Sequence, residues 1–264
     1  AQVFTTYLAN DLCVAVSEFT KELIVDSAVA IDARHGTSFA EQCRDRVAIS
    51  YPAIDSRQFT NLDRNRLDEV LARRGLTDDG FVLFLSRVTK AKGVDDLIDG
   101  YAASHTKECA PLVIAGTGPE APALRARAQA SSAADRIMFF DDVDVDEKTF
   151  LMAASAAYVL PSKPRPEFVE TFGIALVEKM LAGGGPVITT ATGGIPEAIG
   201  EHATVVPVGD PMSIAQALDD AILRTSADQR STLAAAARAH AMQFDRVNVF
   251  DRLFDRLAGA EVAA

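Results

Sequence analysis

The sequence predicts an α/β protein, a Rossmann-like parallel sheet with helices on both faces. Two observations lead there. Short runs of β-branched and aromatic residues recur along the chain and alternate with segments of helical spacing. These runs are also apolar throughout rather than alternating, so each strand has to be covered on both sides. The runs are Phe81–Leu85, Leu112–Ala115, Ile137–Phe140, Ala157–Leu160, Val187–Thr190 and Thr204–Val206, each read as a buried strand. Between them, Val94, Leu97, Ile98 and Tyr101, and later Ile214, Ala217, Leu218 and Ile222, fall on single helical faces.

The first 51 residues offer a strand at Leu12–Val16, a helix begun near Ser17 and a strand at Val47–Ser50, which is too little for a domain. Gly75 closes the helix rich in Arg and Leu before it, and Asp210 followed by Pro211 reads as an N-cap with proline in the first turn. At the end of the chain, from Phe244 to Leu257, the residues Val247, Phe250, Leu253, Phe254 and Leu257 form a helical stripe that needs a partner surface.

Composition narrows the function. Of 264 residues 48% are apolar, as in an ordinary globular protein, and the net charge of −11 argues against a general nucleic-acid surface. An anionic ligand therefore requires a local site. The apolar stretches are shorter than the roughly 20 residues of a membrane span, and no basic segment leads into an apolar one at the N-terminus. A cytoplasmic protein is expected, without an integral membrane segment. Cys13, Cys43 and Cys109 lie far apart with no CxxC pair, and His35, His105, His202 and His240 are equally scattered, so neither a zinc site nor a disulfide framework is expected.

In open parallel sheets ligands bind beyond the carboxyl ends of the strands, so the turns there carry the chemistry. After Phe81–Leu85, the turn Ser86 to Gly93 places Arg87 and Lys92 near a helix N-terminus, where cations and backbone N–H groups together suit phosphates. On its own the turn reads more readily as solvated surface than as a phosphate site. After Leu112–Ala115, Gly116-Thr117-Gly118-Pro119-Glu120-Ala121 superficially fits a dinucleotide fingerprint. It follows the second strand rather than the first, and Pro119 removes a backbone donor, which favours a tight turn over NAD binding. The turn Asp141-Asp142-Val143 could offer backbone groups to a base.

The fullest signal follows Ala157–Leu160. Pro161-Ser162 is followed by Glu170-Thr171-Phe172-Gly173, a helix through Glu178 to Met180, and Gly183-Gly184-Gly185. Were the whole segment helical, Glu170 and Glu178 would stand about 12 Å apart at 1.5 Å per residue. That is too far for paired carboxylates at one glycosidic bond, where roughly 5 to 9.5 Å is expected. Two ends of one extended ligand fit better, with a helix N-terminus between them facing a diphosphate.

This string, continued by Pro186-Val187 and Gly193-Gly194-Ile195-Pro196-Glu197, resembles the signature region of family 4 glycosyltransferases, which are retaining enzymes of the GT-B fold. The resemblance extends upstream to Ala15-Val16-Ser17-Glu18 and to Pro52-Ala53-Ile54-Asp55 with Phe59, and departs from the family pattern at Ala53, Asp142 and Lys179-Met180. It implies a remnant of the N-terminal acceptor domain in residues 1–51, a nucleotide-sugar-binding domain in 52–240, and a helix in 241–264 returning to the N-terminal domain.

The resemblance also implies transfer of a sugar from a nucleoside diphosphate donor to a hydroxyl acceptor, with no metal and no cofactor. Glu170, Arg87 and Lys92 would be the catalytic residues. Glu178 would hold the ribose, and Thr171, Phe172, Gly173, Gly116 and Val143 would complete the donor site. The acceptor domain would be supplied in cis or in trans, and the 264 residues alone are expected to be inactive. Three other readings remain at this stage: a non-catalytic nucleotide-binding subunit of a split transferase, an NAD-binding enzyme, and an epimerase acting on sugar nucleotides.

Overall fold

The computed structural model describes the backbone of residues 1–262 and the side chains of residues 1–256. It contains two parallel sheets. The smaller has two strands, β1 (Cys13–Ala15) beside β2 (Val47–Ile49). The larger has six: β3 (Val82–Leu85), β4 (Leu112–Ala115), β5 (Ile137–Phe140), β6 (Ala157–Leu160), β7 (Val187–Thr189) and β8 (Thr204–Val205). Their spatial order is β5-β4-β3-β6-β7-β8. With helices on both faces, this is the expected α/β, Rossmann-like architecture.

The order places the reversal of the winding between β3 and β6. The chain steps outward from β3 through β4 to β5, then returns to lay β6 against the other side of β3, in register Val82 to Ala157 and Leu83 to Tyr158. Loops leaving β3 and β6 therefore diverge to opposite faces and open a crevice at their carboxyl ends.

The four inner strands are buried because each is covered twice: every side chain of β4, β6 and β7 is buried, as is all of β3 except Leu85. The two outer strands correct the sequence reading. In β5 only Phe140 is fully buried and β8 is exposed, since an edge strand has one neighbour and its apolar residues are capped on one side only. Val94, Leu97, Ile98 and Tyr101 all face the main core, as do Ile214, Ala217 and Leu218.

Residues 1–51 form a small core of their own around Cys13, Ala15, Ala28, Cys43 and Val47. Two helices here were not foreseen, Gln2–Leu8 and Phe39–Arg46. The latter buries only Ala40 and Cys43, too sparse an apolar pattern to announce a helix.

The final helix is Arg246–Val262. Val249 is its buried contact, and Leu253 borders a small cleft with Ile49, Ser50 and Tyr51 of the N-terminal segment. Val247, Phe250 and Phe254 are exposed, and the Leu257 side chain lies outside the described residues. Among the described residues no helix is long and apolar enough to cross a membrane.

Candidate functional site

A cleft of about 380 Å³ opens at the β3/β6 reversal. Arg87 and Lys92 enter it from the loop after β3, Leu160 from the end of β6, and Glu170, Thr171, Phe172 and Gly173 from the loop that follows β6. Val16 and Pro52, just beyond the ends of β1 and β2, border it from the N-terminal segment.

Arg87 is exposed and makes no hydrogen bond or ion pair among the described residues. Lys92 is its opposite: the side chain is buried, its ammonium donates a short hydrogen bond to Glu170 Oε2, and it lies 5.3 Å from the centre of the Phe168 ring. One cation is therefore open to an incoming anion, and the other is held against the carboxylate at the opposite wall.

The Phe172 side chain is buried, in edge contact with Phe244 and tilted against Tyr51, with ring centres 5.1 and 5.3 Å away. Its backbone is what remains to face the cleft. Gly173 caps the helix Ile174–Ala182 at φ 101°, a left-handed conformation that suits glycine alone. First-turn N–H groups of a helix have no intrahelical partner, so this end presents donors and a positive dipole toward the cleft.

Glu170 lies ahead of this helix rather than on it, so the 12 Å spacing computed for a continuous helix does not apply. Glu178 is on the helix, outside the cleft lining, and accepts two hydrogen bonds of 2.7 Å from Lys148 Nζ on the neighbouring helix Val145–Ala154. Lys148 had no marker in the sequence. Gly116 and Val143 also lie outside the lining. A Cβ on Gly116, whose φ is 127°, would stand 2.1 Å from the Ser86 carbonyl oxygen, so this glycine lets the loops after β3 and β4 touch. Val143 packs partly buried on the main core, beyond the Asp142–Arg74 ion pair of 2.8 Å.

Sequence reasoning missed the groups behind the cleft. Ser17 Oγ donates to the Thr171 carbonyl at 2.6 Å, and Glu197 accepts from the backbone N–H groups of Glu18 and Phe19 at 2.7 and 3.0 Å. Both residues stand in segments marked by the family resemblance, but nothing local in either segment reveals that they meet.

A parallel sheet with Arg87 and Lys92 in a cleft at its winding reversal defines a Rossmann-like protein. The chain belongs to the glycosyl transferases group 1 family, whose sequence pattern it matches over residues 69–240. It is 31% identical over 215 residues to D-inositol 3-phosphate glycosyltransferase of Salinispora arenicola, covering 75% of this chain and 46% of that one. It is 30% identical over 190 residues to the GDP-mannose-dependent alpha-(1-6)-phosphatidylinositol monomannoside mannosyltransferase of Mycobacterium tuberculosis, covering 71% and 49%. The chain thus spans about half the length of the curated relatives it matches. Among solved structures it is similar to Anabaena Alr3699/HepE in complex with UDP-glucose, with a TM-score of 0.74 at 22% identity, covering 94% of this chain and 64% of the other.

Proposed function

We propose that these 264 residues form the donor-binding portion of a retaining family 4 glycosyltransferase, which moves a sugar from a nucleoside diphosphate to a hydroxyl acceptor without a metal. The observation that carries this reading is the convergence of Arg87, Lys92, Glu170 and the Thr171–Gly173 backbone on one cleft at the β3/β6 reversal. Family membership and relatives named for sugar transfer support it.

In the reaction, negative charge develops on the departing diphosphate. Arg87, Lys92 and the N–H groups at the start of the Ile174–Ala182 helix are donors for that charge, and of these the helix-start N–H groups are held in place by the backbone, as donors that stabilise a transition state more than water does. Glu170 orients the donor sugar by accepting from its hydroxyls, once the incoming phosphate draws Lys92 away. Glu178 holds the ribose, sharing its carboxylate with Lys148. The acceptor is positioned by a surface beyond these residues.

Calorimetry with UDP, GDP and ADP, each alone and each with chelator, tests the binding. One of them should bind equally well in both conditions. Arg87→Ala and Lys92→Ala should each weaken it by about 1.5–3 kcal/mol, the range for charge-assisted hydrogen bonds. Binding that disappears with chelator, or unchanged affinity in both variants, would refute the assignment.

The two glutamates separate in the same assay. Glu178→Ala should weaken the free nucleoside diphosphate. Glu170→Gln should retain that affinity, because Lys92 is released toward the phosphates, while losing the additional affinity conferred by the donor sugar. Parallel losses for nucleotide and nucleotide sugar in both variants would mean that the division of roles is wrong.

A further inference from the structure

The Glu170–Gly173 loop carries the proposed sugar contact and the helix-start donors, yet it is irregular backbone, which by itself has no reason to hold one shape. The structure encloses it in a closed circuit of contacts. On one side Gly194 N–H donates to the Glu170 carbonyl at 2.9 Å. The approach is close enough that a Cβ on Gly193 would stand 2.0 Å from the Glu170 carbonyl oxygen, and one on Gly194 would stand 2.1 Å from that of Thr171.

From this backing turn the short helix Ile195–Ile199 carries Glu197 across to the N-terminal segment. There its two carboxylate oxygens take one N–H each from Glu18 and Phe19, in the first turn of the helix Glu18–His35. A carboxylate at a helix N-terminus satisfies donors that lack intrahelical partners and complements the helix dipole. The N-cap of the same helix, Ser17, is fully buried. It accepts from Thr20 N–H at 3.0 Å and donates to the Thr171 carbonyl at 2.6 Å, which closes the circuit back on the loop.

We propose that Ser17 and Glu197 are positioning residues, which fix the Thr171–Gly173 backbone from behind so that its amides face the diphosphate. The assignment rests on the donor-site reading given above. The residues joined lie 154 positions apart for Ser17 and Thr171, and 179 for Glu18 and Glu197, so the N-terminal segment is a structural part of the donor site. Neither side chain lines the cleft, so each acts through the loop rather than on ligand.

The test is hydrogen exchange of the intact 264-residue chain and of Ser17→Ala, Glu197→Ala and Glu197→Gln, together with calorimetry using UDP, GDP and ADP. Exchange of the Gly194, Leu176 and Val177 amides, which donate to the Glu170 and Gly173 carbonyls of the loop, should accelerate about tenfold in both alanine variants, while β3, β4 and β6 keep parental protection. Affinity for the nucleotide that binds the parent should fall by a comparable factor, about tenfold. Glu197→Gln keeps one carbonyl acceptor and should fall between parent and Glu197→Ala in both measurements. Unchanged exchange at Gly194, Leu176 and Val177 overturns the proposal, as does faster exchange there with undiminished affinity. A uniform rise across both sheets, meaning that the variants merely loosen the fold, also overturns it. If the parent binds none of the three nucleotides, the donor-site reading fails by itself, and the exchange pattern still decides whether the circuit holds the loop.

Discussion

Replacing Glu147 with alanine should lower the unfolding free energy by about 1.5–3 kcal/mol, the range for hydrogen bonds to a charged group. Glu147 is 2% exposed on the helix Val145–Ala154, and Arg74, at the end of the helix Arg64–Arg74, grips it with two hydrogen bonds of 2.6 Å. Arg73 adds a third at 3.1 Å. Arg74 also lies 4.8 Å from the centre of the Phe140 ring, at the end of β5, and pairs with Asp142 in the turn beyond it. Removing Glu147 leaves the half-buried guanidinium with Asp142 alone and loosens the tie between the two helices.

The pH dependence has a definite sign. The hydrogen bond from Arg74 holds the Glu147 carboxyl below its usual range, so its contribution is complete above the unfolded-state value of about 4.3 and is lost as pH falls through the folded-state value. Urea unfolding should show a wide gap between parent and Glu147→Ala at pH 7, narrowing below about pH 4. A double variant, Arg74→Met with Glu147→Leu, should recover most of the loss, since apolar residues of similar volume often replace a buried pair without penalty. A single alanine variant as stable as the parent at pH 7 would show that the pair contributes nothing net.

Much of this architecture was legible locally. β4, β5 and β6 begin and end where their apolar runs do, and Ser17, Gly75 and Asp210 sit at helix ends as their residue types require. What local pattern does not encode is adjacency. Nothing in Val82–Leu85 or Ala157–Leu160 says that the two strands are neighbours, although the cleft exists because they are. The same limit applies to Glu170 with Lys92 and to Glu178 with Lys148, pairs joined only by the winding of the sheet. Residue type alone left two readings open at Gly116-Thr117-Gly118, and the tight turn is the one the structure has. Glycines of a phosphate loop and glycines that admit a neighbouring strand's backbone look alike in sequence, and here Cβ atoms on Gly116 and Gly118 would meet the carbonyls of Ser86 and Val88.

Lys179 shows how a departure from a family pattern acquires a physical meaning. It stands beside Glu178 on the Ile174–Ala182 helix, yet its side chain is turned inward and is 1% exposed. Its ammonium donates to the Met152 carbonyl at 2.7 Å, Ser155 Oγ at 2.9 Å and the Gly183 carbonyl at 2.6 Å, so all three N–H bonds are used. It thereby joins the ends of two helices, Val145–Ala154 and Ile174–Ala182, which hold the two partners Lys148 and Glu178. With no carboxylate among its acceptors, burial dominates and pushes its pKa down to about 7. In the unfolded chain the ordinary value is about 10.4.

The consequence for stability is fixed in direction. Between pH 7 and about 10.4 the unfolded chain binds a proton at this position that the folded chain does not, so folding gains stability as pH rises, by up to about 1.4 kcal/mol per pH unit. Below pH 7 both states are protonated and the term is constant, at its least favourable. Lys179→Met keeps the aliphatic volume, removes the titration and leaves the Gly183 carbonyl without its lysine donor, while Ser155 Oγ still donates to the Met152 carbonyl at 3.0 Å. It should be destabilised by about 1–3 kcal/mol near pH 9, where the parent holds its amine neutral and hydrogen-bonded, and by less near pH 7. Urea unfolding of parent and variant at half-unit intervals from pH 6 to pH 9.5 reads the difference directly. A difference that stays flat across this range would place the folded-state pKa of Lys179 near that of a free lysine, and the three oxygen acceptors would then be holding a permanently charged ammonium in the core.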